Sequence, residues 1–177
     1  MNTDSPLNAS AERFRALVEA AGDAIICLEA PGKIYFWNQK AEEIFGYVAK
    51  EALGLSLHAL IAPERYRAKA REGLDGFFRT GTGAVIGRTI ELAALKKDGK
   101  EFPVELSVAA FRMDGVWHAI GIVRDITERK RQGEGLKKGI AEMERMNKLM
   151  VGRELKMEEL REEVRVLRQR LKEFEGA

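Results

Sequence analysis

Residues 121–130, read GIVRDITERK, mark a change of period that limits what the rest of the chain can be. Before them, apolar residues alternate or gather in short runs broken by Gly, Pro and Asp. After them, the chain is charged and helix-forming almost to its end. Ile120, Ile122 and Val123 are β-branched, as a strand prefers. Asp125 followed three residues later by Glu128 has the spacing of a capping box, which opens a helix. Thr127 is an alternative cap, and a carboxylate at this place also faces the positive end of the helix dipole. A strand therefore hands over to a long helix, and whatever the upstream part detects leaves through this decapeptide.

The preceding residues supply the rest of a small mixed domain. Residues 1–9 are polar and are expected to be disordered. Ser10 is placed to cap a helix whose Phe14, Leu17, Val18 and Ala21 share one face. Residues 24–28 and 33–37 are short apolar strands around a Pro31-Gly32 turn. Residues 38–53 change to helical spacing with a break at Gly46-Tyr47, residues 56–61 form a further turn ended by Pro63, and residues 64–79 form a longer helix weakened by Gly73 and Gly76. Three strands follow, over residues 89–95, 101–111 and 116–124, joined by the hairpin signals Asp98-Gly99 and Asp114-Gly115. Val104, Leu106 and Val108 alternate with Glu105 and Ser107, so this strand buries one face. The order predicts an α+β fold: a five-stranded antiparallel sheet with short helices on one face and a further helix at each end. The domain is expected over residues 10–126 and the outgoing helix over 127–177.

Composition narrows the function classes. With 30 basic and 28 acidic residues, there is no basic face of the kind nucleic acid requires. No apolar run approaches the roughly 18 residues of a membrane span, so no membrane insertion is expected. The first ten residues lack the basic start and apolar core of a signal peptide. Cys27 is the only cysteine, which excludes an intrachain disulfide and points to a reducing, cytoplasmic setting. Gly81, Thr82, Gly83 and Gly87 loosely imitate a phosphate-binding loop, but they follow a helix and open a strand, the reverse of a dinucleotide fingerprint. The basic run Arg129-Lys130-Arg131 is flanked by acidic residues and reads as a solvated helix start. No nucleophile–base pair, paired carboxylates or metal-ligand cluster stands out, so no enzyme is read.

Three segments in order, IYFWNQKAEEIFGY (34–47), LKKDGKEFPVELSV (95–108) and GIVRDITERK, resemble a PAS domain of the S-box type over about residues 10–130. The resemblance implies a sensory or interaction module whose sheet and helices enclose a pocket for haem, flavin, a small molecule or nothing. It also makes Asp125 and Thr127 of the RDIT segment the junction that couples the sheet to the outgoing helix. In haem-binding members an axial histidine is expected at positions that fall here on Ala70 or Gly76, and a distal arginine at Ile90. None of these ligates or contacts the group in the required way. His58 and His118, the only histidines, read as ordinary surface or rim residues, and no segment resembles the cysteine-bearing helix of light-sensing flavin members. Neither haem nor flavin is therefore expected, and the cofactor is unknown. What remains is an apolar pocket lined by Phe36, Leu74, Phe78, Ile90, Leu92, Leu106, Val108 and Val123, either closed on itself or open to a small apolar or aromatic ligand. Trp37 and Trp117 border it or pack plainly, and Cys27 reads as a small buried hydrophobe.

The last third of the chain carries a heptad pattern. With Leu160 at d, the a positions are Leu136, Met143, Met150, Met157, Val164 and Leu171, and the d positions include Met146, Leu160, Leu167 and Phe174. This is a coiled-coil seam, loosened by Gly139 and Arg153 at d and by Gly133, Gly135 and Gly152. A parallel homodimer is expected, with Glu163–Arg168 and Arg170–Glu175 attractive across the seam and Lys156–Arg161 repulsive, each exposed pair contributing only about 0.2 to 1 kcal/mol. No histidine follows His118, so a histidine kinase phosphoacceptor is absent from this region. Two functions fit: a sensory module that passes its signal to a histidine kinase or regulator in cis or in trans, or a ligand-free PAS scaffold that joins partners.

Overall fold

A computed structural model gives the fold, describing the backbone of residues 6–175 and the side chains of residues 12–169. Five strands form one antiparallel sheet: β1 (Ala24–Glu29), β2 (Lys33–Trp37), β3 (Thr89–Leu95), β4 (Glu101–Met113) and β5 (Val116–Asp125), in the spatial order β2-β1-β5-β4-β3. The α+β architecture read from the sequence is the one observed. The last strand lies at the centre, with β5 paired to β1 from Ala24↔Val123 to Leu28↔Ala119 and to β4 from Val104↔Asp125 to Met113↔Val116.

The two Asp-Gly turns differ. Asp114 and Gly115 have φ of 50° and 80°, the double positive φ of a two-residue type I′ hairpin. The expected two-residue hairpin at Asp98-Gly99 is instead a five-residue connection, residues 96–100. Lys96 N–H donates to the Lys100 carbonyl at 3.0 Å, and Lys100 N–H donates to Asp98 Oδ1 at 2.9 Å. Only Gly99 there has positive φ, so the Asp side chain completes a wider turn.

Helices fill the two chain segments that flank the first hairpin. α1 (Pro6–Glu19) begins at Pro6, four residues before Ser10. A proline suits the first helical position because its φ is preset and its missing N–H has no partner to lose, so Ser10 lies inside the helix rather than capping it. Of the expected apolar stripe, Val18 is buried, but Phe14 and Leu17 stay 55% and 73% exposed. Between β2 and β3 run α2 (Gln39–Phe45), α3 (Ala49–Ala52), α4 (Leu57–Ile61) and α5 (Glu64–Thr80). Gly46, at φ 81°, ends α2 where the sequence breaks. Gly81 ends α5 at φ 70° and lies so close to the Trp117 ring that any Cβ would collide with it.

One sheet face carries the core. Ile26, Ile34, Trp37, Val104 and Val123 pack there with Ile44 and Phe45 of α2 and Phe77 of α5. Aromatic rings knit the centre, Trp37 to Phe45 at 5.3 Å and Phe45 to Phe102 at 5.7 Å. Residues Met1–Glu128 form one compact unit and Arg129–Ala177 a second. The second is helical throughout its described length as part of α6 (Thr127–Glu175), and Gly133, Gly135, Gly139 and Gly152 do not interrupt it. Among the described residues no helix is long and apolar enough to cross a membrane.

Candidate functional site

The exit from the sheet is built residue by residue. Ile126, just past β5, is buried, and its N–H donates to the Pro103 carbonyl at 3.1 Å. The backbone is thus held to β4 for one residue beyond the strand. Asp125 Oδ1 then accepts from Thr127 N–H at 2.8 Å, so Asp125 supplies the acceptor for the first helical N–H of α6. Its other oxygen lies 3.8 Å from Lys96 Nζ. One residue earlier, Arg124 donates from Nε and Nη2 to both carboxylate oxygens of Asp23, at 2.9 and 2.6 Å, and Nη1 lies 3.9 Å from Glu105.

In the sequence Asn38 is legible only as a helix start. It caps α2, with Oδ1 accepting from Ala41 N–H at 3.0 Å, but the same oxygen accepts from Ile25 N–H at 2.9 Å. Nδ2 donates to the carbonyls of Val18 and Asp23, both at 3.1 Å. Fully buried, it spends two donors and two acceptors to join α1, the α1–β1 turn, β1 and α2.

The residues read as pocket-lining divide. Leu74, Phe78, Leu92, Leu106, Val108 and Val123 gather on the helix-covered face, in or against the core cluster. Ile90 is in register with Leu106 and half-buried beside them. Phe36 does not join them. The register between β1 and β2 slips after Cys27↔Phe36 to Leu28↔Ile34, a bulge that adds Tyr35 to β2 and breaks the two-residue alternation. Ile34 and Trp37 therefore face the core, while Phe36 packs on the opposite face 6.5 Å from Phe14. Trp37 is anchored by donation from Nε1 to the Tyr47 carbonyl at 3.1 Å.

The histidines lie in different environments. His58 is on α4, next to core-packed Leu57, with its Nδ1 buried and without a hydrogen-bond partner; burial holds its pKa below the usual 6.5. His118 is on β5, between inward-facing Trp117 and Ala119, and so points to the outer face. There it stacks on Phe111 at 5.3 Å and meets the edge of Tyr35 at 5.5 Å. Beside it burial raises the pKa of the Cys27 thiol, and the Tyr35 phenol is pushed up to about 12, chiefly by its own burial. The structure places the residues at the positions where the resemblance would put haem contacts. Ala70 and Gly76 lie on α5 with no donor atom, Ile90 stands at the arginine position, and His118 is turned away from the core.

On α6 the residues expected to form the seam, Leu136, Met143, Met146, Met150, Met157, Leu160, Val164 and Leu167, are all exposed, between 45% and 73%. Leu171 and Phe174 lie outside the residues whose side chains are described. Exposed Val151 and Leu155, one turn apart, stand off the seam at b and f. Lys156 is paired within its own helix to Glu159 at 2.9 Å, as Arg165 is to Glu162 at 2.7 Å.

Comparison with known proteins places the fold. An uncharacterised protein of Azorhizobium caulinodans is 34% identical over 115 residues, covering 65% of this chain and 16% of that protein. The sensor protein FixL of Bradyrhizobium diazoefficiens is 26% identical over 136 residues, covering 77% and 27%. The cell-division control histidine kinase PdhS of Brucella ovis is 28% identical over 139 residues, covering 78% and 13%. The chain thus spans 13% to 27% of the length of these curated relatives. Among solved structures, the PAS domain of an HTR-like protein from Haloarcula marismortui superposes with a TM-score of 0.54 at 28% identity, covering 68% of this chain and 94% of that one. The family described as PAS domain matches residues 22–128, the stretch from just before β1 to the first turn of α6, and to that family the chain belongs.

Proposed function

We propose that this chain is a sensory signal-transduction module that detects a small-molecule or redox-type cue and passes it through a dimeric coiled coil to a histidine kinase or regulator, in cis or in trans. Its PAS domain is homologous to parts of FixL, named as a sensor protein, and of PdhS, named as a histidine kinase. One observation carries the reading: the central strand β5 runs into α6 through the Asp125–Thr127 hydrogen bond. A change in the sheet reaches the helix through its first turn, which is where capping and orientation are decided. The buried single cysteine fits a reducing cytoplasmic compartment. The second reading, a ligand-free PAS dimerisation scaffold, is favoured by the dense aromatic packing on the inner face.

The test is a fusion of the full chain to a reporter histidine kinase. Asp125→Ala and Thr127→Ala should shift kinase output up or down while thermal unfolding stays cooperative. Output equal to wild type in both variants would leave the junction as a plain strand-to-helix turn.

A further inference from the structure

We propose that α1 is coupled to the junction by a path of its own, running from Val18 through Asn38, Asp23 and Arg124 to Asp125, and that Asn38, Asp23 and Arg124 are positioning residues for the start of α6. The proposal deepens the reading of Asp125 as the point of exit and rests on it. It gives the module a second input, because a change at α1 reaches the outgoing helix without crossing the apolar core.

Each link is a hydrogen bond or a chain neighbour. The Asn38 amide donates to the Val18 carbonyl in the last turn of α1 and to the Asp23 carbonyl in the turn that follows, both at 3.1 Å. One fully buried amide therefore sets the distance between the end of α1 and Asp23. The Asp23 side chain, 22% exposed, holds Arg124 through both oxygens. Two parallel bonds fix the guanidinium in plane as well as in position, which a single-contact surface pair does not do. Arg124 adjoins Asp125, whose carboxylate holds the first N–H of α6. Asp23 and Arg124 are 101 residues apart in sequence, so the pair joins the entry to the domain with its exit.

α1 has the character of an input element. Of its apolar side chains Val18 is buried, while Phe14 and Leu17 remain largely exposed. Among the described residues it is also held by the Asn38 bond, by the Phe14 ring 6.5 Å from Phe36, and by the Glu19 carboxylate, which accepts from Gln39 N–H at 2.8 Å. An element held by few buried contacts opens at lower cost than the sheet.

Amide hydrogen exchange on the full chain, read residue by residue by NMR, tests the path without a kinase. Val18→Ala loosens α1. It should speed exchange of the Ile126 and Thr127 amides about tenfold, while the β4 amides of Val104 to Leu106 stay within about twofold, as a general loss of stability would not allow. In an Arg124→Gln background the same change should leave Ile126 and Thr127 within about twofold of Arg124→Gln alone. An equal acceleration in both backgrounds, or none in wild type, would overturn the proposal. If Val18→Ala loses β4 protection altogether, Glu19→Ala takes its place as the milder loosening, with the same two outcomes. Because this readout needs neither a second copy nor an output domain, unchanged signalling in the kinase fusion would refute the junction reading and leave the exchange result standing.

Discussion

Asn38 has every hydrogen-bonding position of its side chain in use, and all its partners are backbone groups. Asn38→Ala removes four hydrogen bonds. Ala41 N–H keeps the residue-38 carbonyl and the Val18 carbonyl keeps Ala21 N–H, but the Ile25 N–H and Asp23 carbonyl lose the side-chain partner. Stability measured by denaturant titration should fall by about 3 kcal/mol. A loss no larger than that of a simple helix cap, about 1 kcal/mol, would show that water replaces the lost bonds. His58 gives the pH dependence. Burial depresses its pKa, so the folded state favours the neutral ring and the unfolded chain takes up the proton first as pH falls. The stability this contributes is complete above about 6.5 and is lost as pH drops below it. The melting midpoint should decline between about pH 7 and 5, and His58→Leu should flatten that decline; an unchanged slope in His58→Leu would assign it to other groups. At this scale the sequence is least informative. Asp23 and Arg124, or Tyr35 and His118, meet only through the sheet, and no periodicity links residues so far apart.

Elements are more legible in the sequence, because period and turn chemistry act locally. β2 and β3 match their expected limits, and the charged run after residue 126 forms one helix. The departures have local causes: proline at the start of α1, the Asp98 side chain in a wider turn, and the bulge that turns Phe36 away from the core. A bulge is invisible to an alternation argument because it inserts one residue into one strand only. Glycine positions offer a test with opposite signs. Gly115 lies at φ 80°, and nothing stands within 4 Å of the place a Cβ would take, so Gly115→Ala costs backbone strain alone, about 1 kcal/mol. Gly133 and Gly139 are helical with equally open surroundings, and Gly133→Ala or Gly139→Ala should each raise the helix content of α6 and stabilise it by about 0.5 to 1 kcal/mol. Melting curves followed by helical circular dichroism should move down for the first and up for the others. Movement in the same direction would contradict the backbone explanation.

At the scale of the whole molecule, a domain with a dense core is continuous with a helix that exposes a row of apolar side chains. A single helix in water gains nothing by displaying Met143, Met146, Met150, Leu160 and Leu167 together, whereas the proposed second copy would bury them as a and d layers. Lys156, one member of the Lys156–Arg161 pair expected to be repulsive across a parallel seam, is paired with Glu159 within its own helix. The heptad is readable in the sequence, but its occupant is not, because a and d spacing specifies an apolar stripe and leaves open what covers it. The pocket is the least legible feature: seven of its eight expected residues lie on the inner face, but apolar identity alone does not separate a filled core from a sensing cavity. Leu160→Cys in a Cys27→Ser background should cross-link to itself under mild oxidation if the two helices run parallel and in register. A relay into a coiled coil requires two chains, so the mass of the protein in solution is the most direct test. Light scattering at tens of micromolar should give about twice 19.9 kDa for wild type, by mass action, and a folded monomer for the double variant Leu160→Asp, Leu167→Asp; a wild-type monomer, or a dimer that survives both substitutions, would contradict the relay.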